Sequence, residues 1–236
     1  MRAIILAAGR GSRMQTLTEE QPKCLTELHG KPLLARQIEA LRGGGISEIG
    51  IVTGYRREKL QPFGLVEFHN PLWQTTNMVS SLAAADSWLV DGPCIVSYSD
   101  IFYEPSAVEL LRASTADIAI THDPDWLEVW SRRFDDPLED AETFRLDGDR
   151  VIEIGNRPQT VSEVEGQYMG LLRFTPTGWA EVQRIRAELP EAERNRTHMT
   201  GLLGRIIAAG RVPVRALAYR DGWGEIDTAT DLESYQ

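Results

Sequence analysis

Apolar runs and helical periodicities alternate along the N-terminal half of the chain. Ala3–Ala7 is a short apolar run closed by alanine and glycine, which is typical of a strand buried on both faces. Pro32 stands where a first helical position would be, apolar residues then recur on one helical face, and Gly43–Gly45 ends this helix. The same criteria predict strands at Ile49–Thr53, Leu65–Phe68 and Cys94–Tyr98, and a long helix over Met78–Leu89. This alternation predicts βαβ units and a mostly parallel sheet.

The pattern changes in the second half, where a hairpin signal interrupts the alternation. Asp147 and Gly148 form a two-residue turn signal between the segments Glu142–Leu146 and Arg150–Ile154. Further strands are predicted at Tyr168–Phe174 and Arg211–Tyr219, helices at Pro176–Leu189 and His198–Ala209, and a capping box at Thr228–Asp231. We therefore expect an α/β fold, with a Rossmann-like, mixed but mostly parallel sheet flanked by helices. A single domain is expected over residues 1–236, with a β-rich insertion over residues 121–175.

Composition narrows the class of protein without identifying it. The chain has 236 residues, 42% of them hydrophobic and 25% charged, which is ordinary for a globular protein. Its net charge of −10 argues against a general nucleic-acid binder, because phosphate contacts need a basic surface. No apolar run approaches the roughly 20 residues of a membrane span, and the apolar N-terminal stretch is too short for a signal peptide. We therefore expect a cytoplasmic location.

A glycine-containing loop follows the first predicted strand. Gly9 and Gly11 would let main-chain N–H groups approach phosphate oxygens. The same spacing opens dinucleotide-binding folds, but Met14 occupies the position of their third glycine. Arg13 and, further along, Lys23 add two cations to this loop. Two cations beside a nest of amides suit a triphosphate that loses pyrophosphate better than a dinucleotide.

These residues resemble the signature of the sugar-phosphate nucleotidyltransferase superfamily. The matching segment runs Leu6-Ala7-Ala8-Gly9-x-Gly11-Ser12-Arg13, then Thr18, then Pro22-Lys23. Gln15-Thr16 departs from it, since many sugar-nucleotide enzymes have a proline here, and this indicates a different branch. The resemblance implies the nucleotide-diphospho-sugar transferase fold and catalytic roles for Arg13 and Lys23. Residues implied to bind the nucleotide are Leu6, Ala7, Ala8, Gly9, Gly11, Ser12, Asn77, Ser81 and Ser99.

Two aspartates are the candidates for holding a divalent ion. Asp100 ends a predicted buried strand, where ligands bind in open α/β sheets, and Asp227 precedes the last helix. The resemblance implies that both are catalytic residues and that they hold Mg²⁺ against the nucleotide phosphates. The expected reaction is direct in-line attack of a phosphate or phosphonate oxygen on the α-phosphorus. Such a nucleophile is already anionic, so no general base is needed.

Downstream motifs look like one bacterial branch of this superfamily, the phosphocholine and 2-aminoethylphosphonate cytidylyltransferases. They are Thr76-Asn77-Met78-x-x-Ser81-Leu82, Asp125-Trp126-x-x-x-Trp130-x-x-Arg133, Glu165-Gly166-Gln167-Tyr168-Met169-Gly170-Leu171 and Glu225-Ile226-Asp227. The resemblance implies CTP as the nucleotide and a small phosphorylated or phosphonate acceptor.

Aromatic and acidic residues near predicted loops are consistent with a cationic acceptor. An aromatic face contributes roughly 0.5–2 kcal/mol to binding an ammonium group. Phosphocholine and 2-aminoethylphosphonate both stay open, and a sugar or polyol phosphate is the less favoured alternative. We expect the insertion at residues 121–175 to carry much of this pocket. The predicted acceptor-binding residues are Trp126, Trp130, Glu165, Tyr168, Trp223 and Glu225.

Other classes of protein are less consistent with the sequence. A nicotinamide-dependent oxidoreductase would need a third glycine and an acidic residue after the second strand, where the chain has Thr53-Gly54-Tyr55. A non-catalytic nucleotide-binding regulatory domain would have no need of Lys23, Asp100 and Asp227 together. A molybdopterin-type guanylyltransferase fits the first motif but not the downstream ones. Whether the chain forms a homodimer stays open.

Overall fold

A mixed central sheet organises the chain. The computed structural model describes residues 1–11, 14 and 18–235, and of Arg132 only the main chain. In this part the strands are β1 (Arg2–Ala7), β2 (Glu27–Leu28), β3 (Lys31–Pro32), β4 (Ile49–Thr53), β5 (Val66–His69), β6 (Cys94–Tyr98), β7 (Ile101–Tyr103), β8 (Ile118–Asp123), β9 (Phe144–Asp147), β10 (Arg150–Ile154), β11 (Gln167–Phe174), β12 (Val214–Ala218) and β13 (Trp223–Glu225). The helices are α1 (Leu33–Gly43), α2 (Met78–Leu82), α3 (Asp86–Asp91), α4 (Pro105–Ala113), α5 (Trp126–Arg133), α6 (Pro176–Glu188), α7 (Glu191–Arg196), α8 (Met199–Ala209) and α9 (Ala229–Ser234).

The strands of the central sheet follow the order β5-β4-β1-β6-β11-β8-β12-β10-β9. The first four are parallel neighbours, as the βαβ pattern predicts. β11 then runs antiparallel to both β6 and β8, and β12 is parallel to β8. Two short ribbons, β13 with β7 and β2 with β3, lie outside this sheet. The predicted α/β fold with a mixed, mostly parallel sheet is therefore confirmed.

Strand β1 is buried on both faces because apolar side chains point alternately into two cores. Ile4 and Leu6 belong to one hydrophobic cluster, which side chains of α2, α3, α6 and α8 complete. Ala3, Ile5 and Ala7 belong to the second, which side chains of α1 and α4 complete. Helices thus cover both faces of the sheet, as an uninterrupted apolar run in a parallel strand requires. No helix in the described part of the chain is long and apolar enough to cross a membrane.

The helix predicted over Met78–Leu89 is not continuous. A 3₁₀ turn at Ala83–Ala85 separates α2 from α3. Asp86, which begins α3, accepts hydrogen bonds from Trp179 Nε1 at 2.7 Å and Gln183 Nε2 at 2.6 Å, both on α6. The 3₁₀ turn thus stands directly before the residue that bonds to α6, and a helical pattern along the chain carries no information about such contacts.

The predicted hairpin around Asp147 and Gly148 is present as β9 and β10. Gly148 has a φ of 64°, the left-handed conformation that such a turn needs. β10 pairs antiparallel with β12, so the hairpin extends the edge of the central sheet. Residues 121–175 also include the end of β8, the helix α5 and the strand β11, which itself lies in the middle of the sheet.

Packing of α6 against the sheet can be tested with two glycines at equivalent helix positions. Gly178 and Gly201 are the third residues of α6 and α8. A Cβ at Gly178 would lie 2.3 Å from the main-chain oxygen of Asp117, whereas at Gly201 nothing lies within 4 Å. We expect Gly178→Ala to lower the free energy of unfolding by about 1–3 kcal/mol. Gly201→Ala should be neutral or stabilising by up to about 1 kcal/mol. Urea unfolding measures both, and equal stabilities would contradict this packing.

Candidate active site

A cleft of about 290 Å³ opens at the carboxyl ends of β1 and β6. This is the edge at which ligands bind in open α/β sheets. The cleft is lined by Leu6, Ala8, Gly9, Gly11, Lys23, Trp73, Thr76, Asn77, Met78, Ser81, Tyr98, Ser99, Asp100 and Asp227. Most of the residues expected to bind the nucleotide are therefore together, along with Lys23 and both aspartates. Ser12 and Arg13 lie outside the described residues.

The side chain of Lys23 packs directly against the loop after β1. Gly11 has a φ of 71°, which favours glycine, and a Cβ there would lie 2.8 Å from the Cβ of Lys23. Thr18 Oγ1 donates a hydrogen bond to the carbonyl of Gly11 at 3.0 Å, and the N–H of Met14 donates to the same carbonyl at 3.0 Å. Met14 is 1% exposed and packs in a small core with Ile226. The position of the third glycine in a dinucleotide fold is therefore filled here by a buried side chain.

The ammonium group of Lys23 joins the two aspartates. Its Nζ donates to Asp100 Oδ2 at 2.8 Å and also to Asp227 Oδ1. The Lys23 side chain is 7% exposed and that of Asp227 9%. Burial by itself would lower the pKa of Lys23, but the two carboxylates raise it above its ordinary value. Lys23 therefore stays charged and compensates two carboxylates that would otherwise repel each other.

The main chain holds the two aspartates in one place although they come from distant parts of the sequence. Strand β13 pairs antiparallel with β7, and the N–H of Ile226 donates to the carbonyl of Asp100 at 2.9 Å. Gln37, fully buried on α1, donates from Nε2 to the carbonyls of Tyr98 at 2.9 Å and Ile101 at 2.5 Å. Both carbonyls flank Asp100, so this amide fixes the turn that presents the carboxylate. A lone glutamine on an otherwise apolar helix face carries no sequence signal for this role.

Glu225 extends the cluster of charges beyond the two aspartates. Its side chain is 27% exposed, and its Oε2 lies 3.3 Å from Nη1 of Arg133. Burial, and next the carboxylate of Asp100, raise the pKa of Glu225 to about 7 against the opposing effect of Arg133 and Lys23. The raised pKa shows that a further negative charge at Glu225 is disfavoured beside the two aspartates.

The remaining residues expected to contact a nucleotide differ in how their side chains lie. Asn77 caps α2, because its Oδ1 accepts a hydrogen bond from the N–H of Met78 at 2.7 Å. Ser81 Oγ accepts from Asn70 Nδ2 at 2.9 Å. Ala7 points the other way, into the core below the sheet, so its methyl group does not line the cleft. If Ala7 binds the nucleotide as predicted, it can do so only through its main-chain atoms.

Two of the aromatic residues expected to bind an acceptor are in a hydrophobic cluster instead. Trp126 and Trp130 are each 3% exposed and pack with Ala141 and Val164. Trp126 Nε1 donates to the carbonyl of Val164 at 3.0 Å. These rings present no open face, and neither of them lines the cleft. Their spacing reflects packing of the amphipathic helix α5, which a sequence pattern does not distinguish from a ligand pocket.

The other expected acceptor residues are spread over different surroundings. Trp223 is half-buried, its ring centroid 6.2 Å from that of Trp130, and its Nε1 donates to Asp123 Oδ2 at 3.0 Å. Tyr168 packs edge-on against Tyr98, with ring centroids 5.8 Å apart. Glu165 is exposed and accepts from the N–H of Leu146 on β9. Of this group, only Glu225 and Trp223 lie on β13, which leads directly to Asp227.

Sequence reasoning missed Trp73 and Tyr98, which both line the cleft. Tyr98 directly precedes Ser99 and Asp100 at the end of β6, so the signal that identified those two residues applies to it as well. Trp73 lies in a loop, and its ring is 5.4 Å from that of Tyr55. Nothing in its sequence surroundings marks it as a cleft residue.

Comparison with known families agrees with this geometry. A profile of the MobA-like NTP transferase domain matches residues 3–160. The matched residues include the glycine loop, Lys23 and Asp100. The fold and the site together define a nucleotidyltransferase, as the sequence signature predicts. The chain belongs to the MobA-like NTP transferase domain family.

Curated relatives with similar sequences carry cytidylyltransferase names. The CTP:phosphoglutamine cytidylyltransferase of Campylobacter jejuni is 34% identical over 249 residues, covering 99% of this chain and 98% of that protein. The choline-phosphate cytidylyltransferase of Streptococcus pneumoniae is 37% identical over 100 residues, covering 39% of this chain and 44% of the relative. The 2-aminoethylphosphonate cytidylyltransferase of Lancefieldella rimae is 34% identical over 104 residues, 42% of each chain. The last two matches therefore span less than half of the relatives' length.

Solved structures support the fold over the whole chain. The inositol-1-phosphate CTP transferase of T. maritima superposes with a TM-score of 0.76 at 20% identity, covering 99% of this chain and 94% of that one. The CTP:phosphocholine cytidylyltransferase of Streptococcus pneumoniae gives a TM-score of 0.71 at 21% identity, covering 98% and 96%. These comparisons confirm the nucleotide-diphospho-sugar transferase type of fold.

The position of Trp126 leads to a prediction about stability. Trp126→Phe keeps a ring in the cluster but leaves the buried carbonyl of Val164 without its donor. We expect the free energy of unfolding to fall by about 1–3 kcal/mol. Trp88→Phe, at a half-buried ring on α3, is the matched control and should change stability less. If calorimetry finds Trp126→Phe as stable as wild type, the indole is not needed in the core.

Proposed function

We propose that this protein is a Mg²⁺-dependent cytidylyltransferase. It would join CMP from CTP to a small, nitrogen-bearing phosphate or phosphonate and release pyrophosphate. The observation that carries the proposal is the meeting of Lys23, Asp100 and Asp227 at the cleft beside the glycine loop. This arrangement offers amides and a cation to phosphates and carboxylates to a metal, which is the complement of a metal–triphosphate complex.

The choice of CTP and of the acceptor class rests on the relatives. Their names specify cytidylyl transfer to phosphoglutamine, choline phosphate and 2-aminoethylphosphonate. These acceptors share a phosphorus oxyanion and a nitrogen-containing group, although the nitrogen is quaternary in one and primary in another. We infer the same class for this chain. Phosphoglutamine joins phosphocholine and 2-aminoethylphosphonate as an acceptor to be tested, because the match to that enzyme covers both chains almost completely.

The residues at the cleft fit a magnesium ion. Asp100 Oδ1 is buried and has no hydrogen-bond partner among the described residues. Mg²⁺ commonly takes one or two carboxylates together with substrate phosphates rather than a cage of protein ligands. In the described part of the chain, no three histidine, cysteine, aspartate or glutamate side chains group as a metal site. Asp100 and Asp227 would therefore hold the ion together with the nucleotide.

The proposed reaction is a single in-line displacement. An anionic oxygen of the acceptor attacks the α-phosphorus of CTP, and a new P–O–P linkage forms between the acceptor phosphorus and the α-phosphorus. The bond from the α-phosphorus to the oxygen bridging to the β-phosphorus breaks, and its electron pair leaves with pyrophosphate. Amides near Gly9 and Gly11 would bind the phosphates, and Lys23 and Arg13 would stabilise the charge on the leaving group. When bound, Mg²⁺ would neutralise phosphate charge and align the displaced group.

We assign the acceptor's nitrogen-bearing end to Trp223 and Glu225, which lie on the strand that leads to Asp227 at the cleft. Both are half-buried residues of β13, next to Asp227. A carboxylate beside an aromatic ring is a suitable site for an ammonium group. Trp126 and Trp130 are left out of this assignment because their rings are buried.

Two alternatives are less well supported. A sugar- or polyol-phosphate nucleotidyltransferase shares the fold, as the inositol-1-phosphate CTP transferase illustrates, but that similarity is at 20% identity and concerns the fold alone. A non-catalytic regulatory domain would not require a lysine buried between two carboxylates at the ligand edge of the sheet.

The substrate assignment is tested by measuring pyrophosphate release with ATP, CTP, GTP and UTP. Each nucleotide is combined with phosphoglutamine, phosphocholine, 2-aminoethylphosphonate, phosphoethanolamine and glucose 1-phosphate. We expect turnover with CTP and with at least one nitrogen-bearing acceptor. Turnover confined to glucose 1-phosphate would show that the acceptor class is wrong.

The roles of the charged residues are tested by Lys23→Ala and Asp100→Asn. Each is expected to lower kcat by about 100-fold or more at saturating Mg²⁺, because a preorganised charge at the reacting phosphates is lost. The exposed Lys59 provides the control Lys59→Ala, which should retain wild-type kcat. Circular dichroism checks that all variants are folded. Folded Lys23→Ala protein with normal kcat would remove Lys23 from the mechanism.

A further inference from the structure

Two sequence motifs that the proposed reaction does not use meet behind the cleft. One is the Asp125–Arg133 motif on α5, and the other is the capping box Thr228–Asp231 at the start of α9. Arg133 Nε donates to Asp231 Oδ1 at 2.8 Å, and the two side chains are only 3% and 6% exposed. A buried arginine on one helix is thus bonded to the capping aspartate of another.

The carboxylate of Asp231 connects this arginine to Asp227. Its second oxygen, Oδ2, accepts hydrogen bonds from the N–H of Asp227 at 3.0 Å, the N–H of Thr228 at 2.8 Å and Thr228 Oγ1 at 3.0 Å. This carboxylate therefore helps to hold the main chain of Asp227, together with the bond from the N–H of Ile226 to Asp100. Arg133 holds the opposite oxygen, so rotation of the carboxylate would break bonds at both ends.

The guanidinium of Arg133 is itself held on several sides. Its carbon lies 5.1 Å from the ring centroids of both Trp130 and Phe134. Its Nη1 also faces Glu225 Oε2 at 3.3 Å, on the strand that leads to Asp227. Trp130, a buried tryptophan of the α5 motif, therefore packs against the arginine. Its ring would support the site without contacting substrate.

Capping of α9 does not by itself explain why an arginine is buried beside Asp231. Thr228 and Asp231 satisfy the capping box with each other, and an exposed carboxylate could do the same. A buried ion pair contributes little net stability compared with apolar packing. Its distinguishing effect is on geometry, since a planar guanidinium bonded to two carboxylates fixes their directions.

We propose that Arg133 is a positioning residue for the metal site, acting through Asp231 on the main chain of Asp227. The proposal rests on the proposed function, because it assigns Asp227 to a divalent ion. Arg133 is expected to determine how tightly the ion is held, and it would not contact nucleotide or acceptor.

The test measures metal binding without turnover. Mn²⁺ is titrated into each protein with α,β-methylene-CTP present, and free Mn²⁺ is followed by electron paramagnetic resonance. We expect Arg133→Met to weaken Mn²⁺ binding by about tenfold or more, as loss of a residue that orients a metal ligand does. Arg133→Lys keeps the charge but loses the planar fork, and it should lie between wild type and Arg133→Met. If Arg133→Met does not fold, Mn²⁺ binding by Arg133→Lys is compared with that of wild type instead.

Arg211→Met is the control. Arg211 also bonds to a buried carboxylate, with its Nε 2.8 Å from Oε1 of Glu181 on α6. It lies in the connection between α8 and β12 and does not line the cleft. Its loss should lower thermal stability while leaving the Mn²⁺ dissociation constant within about twofold of wild type. Asp231→Asn should weaken Mn²⁺ binding like Arg133→Met, and combining the two should add little, because both changes break one connection.

The outcomes separate this inference from the proposed function. Wild-type protein that does not bind Mn²⁺ with the CTP analogue would overturn the proposed function and the role of Arg133 together. Tight binding by wild type and equally tight binding by folded Arg133→Met or Arg133→Lys would overturn only the role of Arg133. Equal weakening in Arg133→Met and Arg211→Met would also overturn it, since the effect would then follow from stability alone.

Discussion

The site depends on one buried ammonium group shared by two carboxylates. Lys23 lies 2.8 Å from Asp100 Oδ2 and also bonds to Asp227, at the carboxyl edge of the central sheet. Two carboxylates this close would repel each other without a cation between them. Because Lys23 compensates them, two carboxylates and the glycine loop can line the same cleft. That combination of groups is what a metal–nucleotide complex requires of a protein.

Polar residues buried behind the cleft give this arrangement its rigidity. Gln37 bonds to the two carbonyls that flank the turn at Asp100, and Asp231 bonds to the main chain of Asp227. Arg133 in turn bonds to Asp231, so α1, α5 and α9 all contribute to the position of two carboxylates. Such buried groups cost desolvation energy and add little net stability. Their common effect is to restrict the directions of the side chains that face a ligand.

Much of the fold could be predicted because it follows from local patterns. Three such features are the apolar run at β1, the hairpin of β9 and β10 and the capping box of α9. Each is formed by residues that are close together in sequence. The prediction failed where a neighbour distant in sequence decided the outcome. A 3₁₀ turn separates α2 from α3 just before Asp86, which bonds to α6. Strand β8, absent from the sequence prediction, pairs between β11 and β12. Trp126 and Trp130, whose spacing suggested a pocket, pack in the hydrophobic cluster beside α5.

The sequence by itself determined the family, the glycine loop and the identity of Lys23, Asp100 and Asp227, because a motif is a property of neighbouring residues. Only the tertiary structure decided that these three side chains share one cleft. Lys23 and Asp227 are separated by 204 positions, and Arg133 and Asp231 by 98. Residue types at such separations do not specify a distance. The pairing of β13 with β7 and the packing of α5 against α9 supply it.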